Sequence, residues 1–121
     1  MDGNFTSPNQ SAMPVPIDHA HLSRYTLGNR PLEVEVLQLF AGQVPETFSS
    51  LTVANCAKSW HVAAHTLKGS ARAVGAWAVA HIAEEAERAG HAASHRTDIL
   101  LRLEAALNEV RNYVSRLAVP A

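Results

Sequence analysis

The chain has 121 residues, of which 47% are apolar, and a formal net charge of -1, so one domain with one modest core is expected. The charge balance argues against a nucleic-acid binder held by a basic surface, and no apolar run approaches the roughly 18 residues of a membrane helix. Cys56 is the single cysteine, which rules out an internal disulfide.

Residues 1–16 are polar, carry Pro8, Pro14 and Pro16, and lack both periodicity and the apolar segment of a signal peptide. They are expected to be a flexible tail ahead of one domain over 17–121, and the expected location is the cytoplasm. Five helical segments follow. Asp18 is placed to cap a short first helix, with Leu22 and either Tyr25 or Thr26 on its apolar side, ending at Gly28. Asn29 and Pro31 open a second, in which Leu37, Phe40, Val44, Phe48 and Leu51 recur every three or four residues. Pro45 removes one backbone donor inside that pattern, so a bend is expected there.

Asn55 could cap a third helix running to about Val74, before Gly75. A fourth covers Trp77 to Ala89, with Val79, Ile82, Ala83 and Ala86 inward and Gly90 after it. The fifth is expected to start at Thr97 or Asp98 and to stop before Pro120. In it Leu100, Leu103, Leu107, Val110, Val114 and Leu117 form a heptad-like seam. Four amphipathic helices with short connections pack most economically as a bundle. The expected fold is therefore all-α: an antiparallel four-helix bundle with an additional short N-terminal helix.

The chemistry concentrates on the third helix. At about 100° of rotation per residue, Cys56, Ala63, Leu67 and Val74 fall opposite His65, with Trp60 and Ala71 close to them. Lys58, His61, Lys68, Gly69 and Arg72 fall within about 60° of His65 itself. His65 is thus expected at the centre of a solvent-facing, basic surface. A neutral imidazole is a nucleophile without help from a strong base, and its reference pKa of about 6.5 leaves it largely neutral at neutral pH. Cations beside it would stabilise an incoming phosphoryl group, and Lys68 and Arg72 are placed to do so. Gly69 removes side-chain bulk one turn away, at a cost of roughly 1 kcal/mol in helix propensity, which suggests a need for close approach.

His65-Thr66-Leu67-Lys68-Gly69-Ser70-Ala71, followed by Val74-Gly75-Ala76, resembles the signature of histidine-containing phosphotransfer domains, roughly A-H-x-L-K-G-S-A-x-x-L-G-A. Ala64 supplies the leading small residue, and Val74 stands where leucine is usual. Weaker similarity extends over about 17–117, through Ile17-Asp18 to Leu22 and through Leu39-Phe40, Pro45-Glu46 and Leu51. Asn29-Arg30-Pro31 departs from the commoner Gly-Asp pair. The resemblance implies a phosphorelay intermediate. It would take a phosphoryl group from a receiver-domain aspartate onto His65 and pass it to a second receiver. It also implies support of the phosphoryl group by Lys68 and by Gln43, which stands at a second-helix position from which some members contact the active histidine. Gly69, His61 and Ser70 would then belong to the close-approach and docking surface. Receiver domains and a hybrid sensor kinase are the implied partners of a monomer. No cofactor is expected, and neither nucleic acid nor a membrane.

Three other readings compete. His61 and His65, four apart, could be metal ligands, as could His91 and His95 at the same spacing. No carboxylate or thiol is expected on the His61/His65 face, and Lys58, Lys68 and Arg72 would repel a dication, so no metal is expected; for the same reason any magnesium would sit on the receiver. An autophosphorylating kinase would need an ATP-binding domain, and no G-x-x-x-x-G-K-[ST] loop is present. A helical interaction module that docks receiver or kinase domains without being phosphorylated shares the same surface.

Overall fold

A computed structural model describes residues 15–117, which form five α-helices and, among those residues, no strand. They are α1 (His19–Thr26), α2 (Arg30–Val53), α3 (Ala57–Val74), α4 (Trp77–Ala89) and α5 (Ala93–Leu117). Of the expected tail, all but Val15 and Pro16 lies outside the described residues, as does Pro120.

The helix ends follow local chemistry. Asp18 caps α1 through Oδ1, which accepts the His21 N–H at 3.1 Å. Asn29 caps α2 in the same way, accepting the Leu32 N–H, with Pro31 in the first turn where a missing donor costs nothing. α2 then runs through Pro45 to Val53. Asn55 is not the cap of α3. Cys56 takes that position, its Sγ accepting the Ser59 N–H at 3.5 Å, so Cys56 is exposed rather than part of the core stripe. The start of α5 is also earlier than expected: Ala93 replaces Thr97 or Asp98, because the chain re-enters helical conformation directly after the Gly90 turn.

α3 packs against α2 and α4, and α5 closes the ring by packing against α4 and α2, while α1 lies mainly on α2. Cross-helix pairs fix the directions. Trp60 and His65 meet Ala86 and Glu87, whereas Arg72 meets Glu84, so α3 and α4 run antiparallel. Arg96 reaches the carbonyl of Leu51, while Val44 and Pro45 share a crevice with Leu107 and Arg111, so α2 and α5 are antiparallel too. The core joins Leu37, Phe40, Val44 and Leu51 of α2 to Trp60, Leu67 and Val74 of α3. Val79, Ala83 and Ala86 of α4 and Ile99, Leu103, Leu107, Val110 and Val114 of α5 complete it. Ile82, Leu100 and Leu117 are only partly buried at its margin, Ile99 taking the buried place at the start of the α5 seam. In α1, Leu22 and Thr26 turn inward and Tyr25 stays exposed.

Two contacts lock α3 to its neighbours. Trp60 is completely buried; its Nε1–H donates to the Ala86 carbonyl at 2.7 Å and the Arg96 guanidinium sits 5.1 Å over its ring. Gly75 ends α3 with φ +79°, and a Cβ there would come within 2.9 Å of the Asp18 carbonyl oxygen. Only glycine meets both demands, which lets the Asp18 N–H donate to the Gly75 carbonyl at 2.9 Å. The Asp18 Oδ2 also accepts the Trp77 indole N–H at 2.8 Å, so α1 is pinned to the α3–α4 turn.

Candidate functional site

α3 is amphipathic, and the burial of Trp60, Ala63, Ala64, Leu67, Ala71 and Val74 leaves His65 facing outward with 63% of its side chain exposed. Lys58, His61, Gly69 and Arg72 are exposed beside it, and Lys68 is half-buried. The histidine-centred face expected from helix geometry is therefore present.

The face is not purely basic. Glu87 of α4 reaches across the α3–α4 seam, and its Oε2 lies 2.9 Å from His65 Nδ1 and 3.4 Å from His61 Nε2. Its Oε1 accepts from Lys68 Nζ at 2.6 Å. Lys68, then His65, hold the Glu87 carboxyl well below the usual carboxylate range, at about 2, so it is an anion at neutral pH. The His61 and His65 rings stack with centroids 5.8 Å apart. One turn further along, Arg72 lies 3.6 Å from Glu84, which also pairs with Arg88. The expectation that no carboxylate shares this face is corrected: α3 alone offers none, but α4 supplies two.

Sequence reasoning missed Glu87 because it treated helices one at a time. A usable signal existed. Gly75 and Ala76 leave room only for a tight antiparallel connection between α3 and α4. His65 lies nine residues before the end of α3 and Glu87 ten after the start of α4, so the two are nearly level.

The other flank of His65 is open. A groove of about 740 Å³ runs between α2 and α3, lined by Gln43, Thr47, Val62, Thr66 and Ser70 among others. Gln43 of α2 and Ser70 of α3 both line this groove. Gly69 has no atom within 4 Å of where a Cβ would be, so nothing in the fold demands a glycine there. His91 precedes α5 while His95 lies in its first turn, so that pair does not share one helix face as the spacing suggested.

An outward imidazole is thus held at Nδ1 by a carboxylate, which is itself anchored by a lysine. With Nδ1–H donated to Glu87, the lone pair is on Nε2, the atom turned away from the carboxylate. Such an arrangement suits nucleophilic group transfer from a helical bundle. The chain belongs to the Hpt domain family, whose model matches residues 35–113. That membership connects it with phosphotransfer in two-component signalling, through receiver domains and kinases. No curated protein and no solved structure matches the chain. Among the described residues, no helix is long and apolar enough to cross a membrane.

Proposed function

We propose that the chain is a phosphorelay intermediate that accepts a phosphoryl group on His65 from one receiver domain and delivers it to another. The observation that carries this reading is the family signature centred on an exposed histidine whose Nδ1 is engaged by Glu87 at 2.9 Å. The Nε2 lone pair attacks the phosphorus of an aspartyl phosphate. The N–P bond forms, the bond from phosphorus to the aspartyl oxygen breaks, and the aspartate leaves as a free carboxylate. Positive charge grows on the ring as the bond forms, and Glu87, already accepting from Nδ1–H, stabilises it. Attack by a second receiver's aspartate on the same phosphorus reverses these bond changes and restores the neutral ring. Lys68 and Arg72 support the phosphoryl group, and Gly69, His61 and Ser70, with Gln43 across the groove, lie on the docking surface. The protein is read as a cytoplasmic monomer that carries the group without binding ATP.

The decisive test is transfer from a phosphorylated receiver. Wild-type protein should acquire acid-labile, base-stable phosphate. His65→Gln should acquire none while its helical circular dichroism persists, because the His65 side chain points away from the core. Labelling of His65→Gln at the wild-type level would refute the assignment. A folded wild type that is never labelled would leave the docking-module reading in its place.

A further inference from the structure

The cluster at the α3–α4 seam has a second chemical capacity. We propose that His61, His65 and Glu87 form a binding site for a Zn²⁺-type divalent transition metal, and that metal and phosphoryl group exclude one another at His65. Each residue offers one ligand atom, and the three atoms lie within 4.8 Å of one another. Two nitrogens and a carboxylate oxygen are the donor set of many open zinc sites, with water in the fourth position. Bonds of about 2.0–2.2 Å to a tetrahedral ion require ligand atoms about 3.3 Å apart. The Glu87 Oε2 stands at 2.9 Å from one nitrogen and 3.4 Å from the other, close to that spacing, and the two nitrogens lie within 4.8 Å of each other. Both rings are more than half exposed, at 58% and 63%, which leaves the site open to an ion from solvent.

Neighbouring cations do not forbid the ion. Lys68 is committed to Glu87 Oε1, which leaves Oε2 for a metal and cancels the lysine charge locally. Arg72 is drawn toward Glu84. Imidazole and carboxylate donors together favour zinc and its late first-row neighbours over magnesium or calcium, which prefer all-oxygen sites.

The exclusion follows from the tautomer and rests on the relay reading; the metal site itself does not. A metal bound through Nδ1 takes the place of the proton there, and the neutral ring then carries its proton on Nε2. The lone pair that would attack phosphorus is gone. Conversely, a ring phosphorylated on Nε2 with its Nδ1–H still donated to Glu87 offers a metal no lone pair until that proton leaves.

The test begins with calorimetric titration of chelator-stripped protein with Zn²⁺ alone, and with Co²⁺ followed by its visible absorption. One ion should bind per chain with micromolar or tighter affinity. Losing even an outer partner of a metal ligand costs about 10–100-fold in affinity, so His61→Ala and Glu87→Gln should each weaken binding at least about tenfold. A double variant, His91→Ala with His95→Ala, should bind like wild type. Absence of binding below millimolar metal overturns the site. So does binding indifferent to both His61→Ala and Glu87→Gln, or binding lost in the His91/His95 variant. Labelling by phosphoramidate, which needs no receiver, then tests exclusion: Zn²⁺ should slow labelling of wild type and have little effect on His61→Ala. Equal labelling of wild type with and without saturating Zn²⁺ overturns exclusion. Failure of metal-free wild type to label at all strikes the relay reading and leaves the binding result standing.

Discussion

Gly69 separates the needs of the fold from those of the partner. It lies inside α3 with no atom within 4 Å of where a Cβ would stand, and its φ is not among the positive ones. Replacing it with alanine should therefore release the full helix-propensity difference, about 0.8–1.0 kcal/mol, with no steric penalty against it. For a domain of this size that corresponds to a rise of about 4 °C in Tm. Thermal unfolding followed by circular dichroism, with the urea midpoint as a second measure, reads the effect. Gly69→Gln should keep nearly the same stability, since glutamine is also a good helix former. It places a long side chain about 40° around the helix and one turn along from His65, so transfer from a phospho-receiver should slow strongly. An unchanged or lowered Tm for Gly69→Ala would mean that the glycine serves the fold after all. Normal transfer by Gly69→Gln would end the argument that it exists for access.

Lys68→Ala should slow transfer roughly tenfold, and Arg72→Ala less, since Glu84 draws the arginine away; rapid-quench rates at fixed ionic strength would show it, and the reverse order would reverse the roles. Trp60→Phe should cost about 2 kcal/mol in denaturant unfolding, about half from the lost hydrogen bond to Ala86 and half from the cavity, whereas a neutral change would mean the indole is not a locking element. Glu87 is held from 4.5 down to about 2, so its carboxylate adds stability that is complete above pH 4.5 and is lost as pH falls toward 2. The stability difference between wild type and Glu87→Gln should therefore shrink across that acid range; a difference that grows there would contradict the sign.

The helices were legible because each buries one stripe, and Leu37, Phe40, Val44, Leu51, Leu103, Leu107 and Val110 repeat at the helical period. Caps at Asp18 and Asn29 were legible too, because Asp and Asn satisfy free N–H groups at helix starts. Cys56 was not, since thiols are uncommon caps and its wheel position suggested burial. The α5 start was obscured because Ala93, Ser94, His95 and Arg96 have no apolar stripe, yet Arg96 is held in the helix by reaching the Leu51 carbonyl and the Trp60 ring. At the site, everything carried by α3 could be read from one helix. What lay outside that reading came from another helix: the carboxylates of Glu84 and Glu87, which depend on the relative height of α3 and α4.

Glu87 alters how the charges around His65 should be understood. From α3 alone, Lys58, Lys68 and Arg72 make the histidine face strongly cationic, and that field would be the main attraction for a phosphoryl group. With Glu87 on Lys68 and Glu84 near Arg72, much of the field is neutralised before any partner arrives. The remaining electrostatics is directional. Negative charge lies on the Nδ1 side of the ring, where, on the proposed relay, it holds the proton and meets the charge that develops during attack. The Nε2 side stays clear for the phosphoryl group. Lys68 then has two tasks. It keeps Glu87 ionised and in place, and it prevents that anion from repelling a phosphoryl group on the far side of the ring. Lys68 is already paired with Glu87, so its loss should tune the rate rather than decide whether transfer occurs. On the proposed relay, the nucleophile, its tautomer and room for the partner at Gly69 carry the larger share.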